Sequence, residues 1–292
     1  MTITKNQRKK QASSGNRLSP YQRYYLIFIG IAVVVPFVPV IIRAFSFSWF
    51  WPSILPTKWW WEARENAWQP LGWDYIFSGP SHVGEAIINT VFIAIVVTIV
   101  CTAISLPAAR VIAWEKFRGK SAVEFFLLTP LIVADIAIGL GILITFLQLG
   151  LTGGYVGIIL AHLIPTTPYM VRVLTSVFQG LSRDYEEQAR LLGATPLKTL
   201  WFITMPMILP GIMAGGLFAF LISTNIFLLT FFVGQGNIVT LPTMLFAKVI
   251  GGSSLDTIGA EVALILSLPG LILLIITERF LKEEIFAKGF GG

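Results

Sequence analysis

Charged residues are scarce in this sequence, and cysteine and histidine are scarcer still. Only 12% of the 292 residues are Asp, Glu, Lys or Arg, whereas soluble domains carry about 25%. Hydrophobic residues make up 55% of the chain, and the mean hydropathy is +0.78. Because a chain this apolar cannot cover its surface with polar groups, we predict that its solvent is lipid. The apolar runs are too long for strands, so the predicted fold class is an all-α membrane protein.

The rare residues exclude several kinds of chemistry. Cys101 is the only cysteine, which excludes an intrachain disulfide. The two histidines, His82 and His162, stand far apart, and no Cys, His or carboxylate group has the spacing of a metal site. Residues 119–121 read Gly-Lys-Ser, like the end of a phosphate-binding loop, but Trp114 occupies the position where that loop needs glycine. The sequence therefore predicts no catalytic residue, no metal and no ATP site on this chain.

Six apolar runs are long enough to cross the roughly 30 Å hydrocarbon core of a bilayer as helices. Most contain or adjoin a proline, which membrane bundles tolerate because neighbouring helices satisfy the freed carbonyls. The predicted spans are Tyr25–Ile42, Ile87–Ala109, Phe125–Leu149, Val156–Val173, Pro206–Phe232 and Val262–Ile276.

Basic residues are distributed unevenly between the two sides that these spans define. The four on one side are Arg43, Lys58, Arg64 and Lys248, and the other 17 of the 21 lie on the opposite side. Since Lys and Arg accumulate in cytoplasmic segments, both termini are predicted to be cytoplasmic. The net charge of +6 thus reflects membrane topology, and no nucleic acid partner is expected. The first run lacks a small-residue cleavage site, so we expect it to remain as an anchor.

These spans divide the chain into five regions: a basic cytoplasmic tail 1–23, a first transmembrane helix 24–43, an external segment 44–83, a core of five transmembrane helices 84–281, and a cytoplasmic tail 282–292. The external segment contains seven of the nine tryptophans. Indole rings favour the membrane–water interface, so the segment is interpreted either as an interfacial anchor or as a docking surface for an external partner.

The loop 182–206, between the fourth and fifth spans, carries the most informative pattern. Ser182 suits a helix N-cap, and three acidic residues follow in the first turn, where the helix dipole favours them. Tyr185, Ala189 and Leu192 recur at helical spacing and predict one apolar stripe. Gly193 is expected to end this helix of about ten residues, and Pro196 to begin another. A helix this short is unstable alone in water, so the membrane interface or a partner protein must hold it.

The same loop resembles the signature of binding-protein-dependent permeases of bacterial ABC importers. That signature reads Glu-Ala-Ala, three residues, Gly, nine residues, Ile, one residue, Leu-Pro. The matching positions here are Glu187, Ala189, Gly193, Ile203 and Pro206, while Gln188 and Met205 depart from it. Stretches such as 192–196 (Leu-Gly-Ala-Thr-Pro) and 218–223 look most similar to the polyamine, opine and phosphonate branch.

The resemblance implies a type I importer fold with six transmembrane helices, placed as a multi-pass protein in the bacterial cytoplasmic membrane. It also implies that the loop contains a coupling helix seated on a cytoplasmic ATPase, so that ATP is bound by a partner subunit. Expected partners are a pair of ATP-binding subunits, a second permease (identical or different) and an external solute-binding protein. The coupling residues that it implies are Glu187, Ala189, Gly193, Ala194, Pro196, Ile203 and Pro206.

Five polar residues inside the predicted spans are candidates for the solute path. Asp135 falls within the third span, where an isolated charge usually faces a cavity or a partner, so it either lines the path or bonds a neighbouring helix. His162 either joins two helices or contacts solute. Ser223, Thr224 and Asn225 lie in the fifth span, and Asn225 stands where the polyamine branch tends to carry an acid. The solute is therefore expected to be a small organic molecule such as a polyamine or a phosphonate, with a neutral or anionic one comparably favoured.

Two other functions fit an apolar multi-span chain. A self-sufficient secondary transporter or channel often shows an internal repeat, which the two halves of this sequence do not share. A membrane anchor that only scaffolds a complex would not need Asp135.

Overall fold

The computed structural model describes residues 20–49, 52–64, 72–251 and 257–289. Helices account for nearly all of its regular structure, in line with the predicted all-α class. The external segment adds a small antiparallel ribbon, β1 (Ser46–Ser48) and β2 (Lys58–Trp59), in which Ser46 pairs with Trp59.

The helices are numbered in chain order. They are α1 (Pro20–Val34), α2 (Phe37–Ala44), α3 (Trp60–Arg64), α4 (Trp73–Ile76), α5 (Val83–Trp114), α6 (Lys120–Leu128), α7 (Asp135–Leu149), α8 (Tyr155–Gly180), α9 (Asp184–Leu191), α10 (Pro196–Thr199), α11 (Met205–Asn225), α12 (Leu228–Gly234), α13 (Leu241–Gly251) and α14 (Thr257–Gly289). Short 3₁₀ turns cover Gly79–Ser81 and Thr129–Leu131, and a π-helical turn covers Leu200–Thr204.

Helices α5, α8 and α11 pack against one another and form the centre of the bundle. Their shared core contains fully buried Cys101, Leu174 and Ile208. Close approach depends on glycine, since a Cβ at Gly215 would lie 2.5 Å from the sulfur of Met170. Small residues at helix contacts are the usual means by which membrane helices pack closely.

Among the described residues, three helical segments are long and apolar enough to span a membrane: Val83–Trp114, Tyr155–Gly180 and Pro196–Asn225. The number rises to five if α1 with α2, and α6 with α7, each form one bent span. The sixth predicted span lies within α14, whose apolar part runs from Thr257 to Ile272. The architecture is consistent with six spans, and the count of six stays a prediction.

The third and fifth predicted spans are each divided into two helices by a break. The third, 125–149, breaks between Leu131 and Asp135, where α6 and α7 meet at 97°. Ala134 there is extended, with φ −62° and ψ 133°, so the helical hydrogen bonds cannot continue across it. The fifth, 206–232, ends at Asn225 because Ile226 is extended, and α12 follows as a separate helix.

The first span and the external segment lie at the edge of the bundle. Pro36 lies at a bend of 41° between α1 and α2, and α2 packs against α14. In the external segment Trp59 stacks on Trp61 with their ring centroids 5.0 Å apart. Trp51, Trp68 and residues 1–19 lie outside the described residues. Whether the tryptophans anchor the segment or receive a partner stays open.

Candidate functional site

Local hydrogen bonds delimit the short loop helix α9 at both ends. At its start the N–H of Asp184 donates to the Ser182 hydroxyl at 3.2 Å. At its end the N–H groups of Gly193 and Ala194 donate to the carbonyls of Arg190 and Ala189, and Gly193 has φ +85°. This pair of bonds is the Schellman motif, which favours glycine at the left-handed position. The predicted stop at Gly193 is confirmed.

The chain then turns sharply into the fifth span. Thr195 caps α10 by accepting a hydrogen bond of 3.4 Å from the N–H of Lys198, and Pro196 is the first residue of the helix, as predicted. A π-helical turn precedes Pro206, and the continuous helical segment runs from Pro196 to Asn225. The loop is therefore continuous with the fifth span through α10.

A buried glutamate, Glu186, ties α9 to two helices of the bundle. Its side chain is 5% exposed and forms a short ion pair with Arg110 of α5. Its second oxygen accepts a hydrogen bond of 2.7 Å from the hydroxyl of Thr204, just before α11. Arg190 adds a longer contact of 3.8 Å. Charge-assisted hydrogen bonds of this kind are the strong ones, so Glu186 holds the loop helix on the bundle.

Sequence reasoning missed Glu186 because the family signature directs attention to its neighbour. Glu187 has a side chain that is 63% exposed and makes a weak contact of 3.9 Å with Arg183. Glu186 and Ala189 are both buried and lie three residues apart, which places them on one face of the helix. The spacing of three residues between Glu186 and Ala189 is the feature of the sequence that could have identified Glu186 as an inward-facing residue.

The outer face of the loop is apolar and open. Leu191 and Leu192 are 88% and 89% exposed, and Tyr185 is half exposed. The single stripe expected for Tyr185, Ala189 and Leu192 is wrong, because Ala189 faces the bundle while the other two face outward.

The remaining coupling candidates lie along the same loop. Gly193, Pro196 and Pro206 are exposed, whereas Ala194 and Ile203 are half-buried. A Cβ at Gly193 would meet no atom of the described residues within 4 Å, so glycine is needed there for its positive φ and not for close packing within the bundle.

A buried polar cluster joins the helices of the bundle around His162. Its Nδ1 lies 2.9 Å from the Ser223 hydroxyl and its Nε2 lies 2.8 Å from the Thr230 hydroxyl. Thr230 in turn donates to the carbonyl of Ile226 at 3.0 Å, so its hydroxyl oxygen accepts the hydrogen bond from Nε2. His162 therefore links α8 to the end of α11 and to α12, across the break at 226–227.

Ser223 belongs to this cluster, and buried Thr224 lines the same small gap while its hydroxyl donates to the carbonyl of Leu221. Asn225 is exposed, and its amide donates to the carbonyl of Leu221 at 2.8 Å and to the hydroxyl of Thr224 at 3.3 Å. The structure therefore brings together three of the five solute-path candidates.

Asp135 is not in the middle of a helix, as the sequence suggested, but is the first residue of α7 and is exposed. The structure shows no hydrogen bond or ion pair of its carboxylate with another described residue. An acid in the first helical turn is favoured by the helix dipole.

Asp135 and Asn225 stand beside a common helix contact. A Cβ at Gly139 of α7 would lie 2.8 Å from Phe232 and 3.6 Å from Leu229, both in α12. Asp135 precedes Gly139 by four residues, and Asn225 precedes Leu229 by four residues. Asp135 is thus about one helical turn from this contact, whereas Asn225 is separated from Leu229 by the break at 226–227.

Comparison with known proteins identifies the family. A family model described as "Binding-protein-dependent transport system inner membrane component" matches residues 105–283, more than half of the chain. The putrescine transport system permease of Escherichia coli is 34% identical over 174 residues, or 58% of this chain and 62% of the relative, so the match spans less than two thirds of that protein. The molybdenum transport system permease of Mycobacterium tuberculosis is 30% identical over 194 residues, or 61% of this chain and 73% of the relative.

A solved structure shows the same fold. It is a bacterial ABC transporter that imports the acidic polysaccharide alginate, and it superposes with a TM-score of 0.66 at 15% identity, covering 96% of this chain and 99% of that one. The helical architecture is the same as that of the solved structure, and the signature loop 182–206 lies inside the region 105–283 that the family model matches. This chain belongs to the family of inner membrane components of binding-protein-dependent transport systems.

Proposed function

We propose that this chain is the transmembrane subunit of an ATP-driven importer, through which a small solute passes from an external solute-binding protein to the cytoplasm. Family membership and the names of the relatives support transport. The observation that carries the proposal is the loop 182–206, a short helix fixed to the bundle by Glu186 that turns exposed leucines away from it.

The loop is built to transmit force from a separate ATPase subunit. Its inner face is held by Glu186, and by an ion pair of 3.1 Å between Arg183 and Glu115 at the end of α5. Its outer face offers Leu191 and Leu192 to an apolar groove, the usual way in which a short amphipathic helix is recognised. A push on α9 therefore reaches the ends of the second and fifth spans together.

Replacement of Leu191 and Leu192 by serine tests this proposal. We expect the double variant to insert normally but to lose the co-purifying ATPase, with transport reduced at least about tenfold. The two leucines, when buried in the groove of the ATPase, would contribute more than about 1.4 kcal/mol to binding, which corresponds to a tenfold change in affinity. Leu55→Ser is the matched control, since Leu55 is 62% exposed in the external segment. Normal ATPase retention and uptake in the double variant would refute the coupling role.

We further propose that Asp135 and Asn225 line the solute path. They are the exposed members of the candidate set, and each adjoins a break in a predicted span near the contact of α7 with α12. In transporters, broken helices near the bilayer midplane commonly present polar groups to the solute. Because the set includes one acid and one amide, a small polar organic solute fits, and the relatives' names span putrescine and molybdenum.

Asp135→Asn separates a path role from a structural one. With no partner among the described residues, the carboxylate is not needed for assembly, so we expect an unchanged yield of complex and an apparent transport affinity altered about tenfold. Glu85→Gln is the control, since Glu85 is likewise exposed in the first turn of a helix, α5. A lower yield with unchanged affinity would show that Asp135 is structural.

A further inference from the structure

A cavity of about 580 Å³ lies between the first span and the last helices of the chain. Its walls come from α2, from the segment after β1, and from α13 and α14. Val40, Val249 and Ala260 contribute apolar surface, and Val249 is 62% exposed at the mouth. Because α2 and α14 belong to predicted spans, we expect this cleft to open sideways toward lipid.

Two basic residues, Arg43 and Lys248, line this otherwise apolar cleft. None of the described residues lining it is acidic. Arg43 lies in the last turn of α2, and one of its guanidinium N–H groups donates to the carbonyl of Trp49 at 3.0 Å. Lys248 is half-buried, and its Nζ lies 5.6 Å from the ring centroid of Tyr75. It forms no ion pair with an acid among the residues that the structure describes.

Arg43 and Lys248 share this cleft, and the predicted spans place Arg43 at the edge of the bilayer. Arg43 ends the first predicted span, on the side that the distribution of Lys and Arg predicts to be external. The tryptophan-rich segment that begins there is typical of the interfacial region, and Trp49 itself lines the cleft. An apolar cleft with basic residues at one end is complementary to a molecule that has acyl chains and an anionic headgroup.

We propose that this cleft binds one anionic phospholipid, with an acyl chain against Val40 and Ala260 and the phosphate near Lys248 and Arg43. Basic side chains near a membrane surface attract anionic headgroups, by about 1 kcal/mol for each Lys or Arg. The lipid would fill the space between α2 and α14, and so seal the first span onto the bundle.

Native mass spectrometry of the purified full chain tests the proposal, with phosphatidylglycerol and phosphatidylcholine of identical acyl chains added in turn. We expect the chain to retain phosphatidylglycerol preferentially. Lys248→Gln should weaken that binding about fivefold, the effect of one basic side chain near anionic headgroups. Lys58→Gln, which removes an exposed external lysine outside the cleft, should leave it unchanged.

A second variant, Ala260→Leu, fills the cleft without changing its charge, and we expect it to weaken the binding of both lipids. Equal retention of the two lipids by the unmodified chain would overturn the proposal. So would unaltered phosphatidylglycerol binding in Lys248→Gln, or an equal loss in Lys58→Gln. Because lipid binding is measured without transport, these results are independent of the proposed import function.

Discussion

Gly157→Ala is expected to destabilise the bundle more than any other single methyl addition among the described glycines. The new Cβ would overlap the carbonyl oxygen of Leu151 and lie 3.0 Å from Val233. A backbone oxygen cannot rotate away as a side chain can, so the turn that carries Leu151 must shift. We expect a loss of about 3 kcal/mol or more, at the upper end of the range for overpacking. Thermal unfolding of the purified chain, followed by tryptophan fluorescence, measures it.

Gly141→Ala is the matched control for this substitution. Gly141 also lies in a helix, α7, but a Cβ there would meet none of the described atoms within 4 Å. We expect a neutral or slightly stabilising effect, because alanine favours helix over glycine by up to about 1 kcal/mol. If both variants melt like the unmodified chain, then the close approach between α8 and the preceding turn does not limit stability.

Glu186→Ala is expected to detach the loop helix from the bundle. The substitution leaves Arg110 and the hydroxyl of Thr204 without their carboxylate partner. Hydrogen bonds to charged groups contribute about 1.5–3 kcal/mol, and Arg110 is 38% exposed, so water recovers part of the loss. We expect about 2 kcal/mol of destabilisation and a melting temperature several degrees lower. The transport-coupled ATPase activity should fall by a larger fraction than the amount of folded protein.

The neighbouring variant Glu187→Ala distinguishes anchoring from partner contact. Glu187 is 63% exposed and has only a long contact with Arg183, so its loss should change the stability by less than about 0.5 kcal/mol. If Glu187 contacts the ATPase, then coupling falls while the melting temperature stays constant. Equal melting temperatures for Glu186→Ala and Glu187→Ala would show that the buried ion pair does not hold the loop.

Local patterns were sufficient to predict the loop. Gly193 and Pro196 end one helix and begin the next because their backbone preferences act within a few residues, and the structure has both where predicted. Ala189 was misplaced in an outward stripe, since periodicity shows which residues share a face but not what that face packs against. The same limit hid Glu186, whose partner Arg110 is 76 residues away in the sequence.

The candidate solute path was predicted less well. His162 and Ser223 were singled out as polar residues in apolar runs, and the structure joins them at 2.9 Å. Asp135 and Asn225 were placed inside spans, because hydropathy does not reveal a break that occurs between apolar residues. Ala134 and Ile226 are both apolar, and both adopt extended conformations there.

The sequence by itself was sufficient to identify a multi-span membrane protein and the loop that carries the family signature, and it predicts an orientation from the distribution of Lys and Arg. These properties follow from composition and from short-range order, which require no knowledge of contacts. Only the tertiary structure decided which face of α9 is buried, where the third and fifth predicted spans break, and that a cleft with Arg43 and Lys248 opens beside the first span. Each of these depends on which distant helix packs alongside, because pairing and burial in a bundle are properties of neighbours in space.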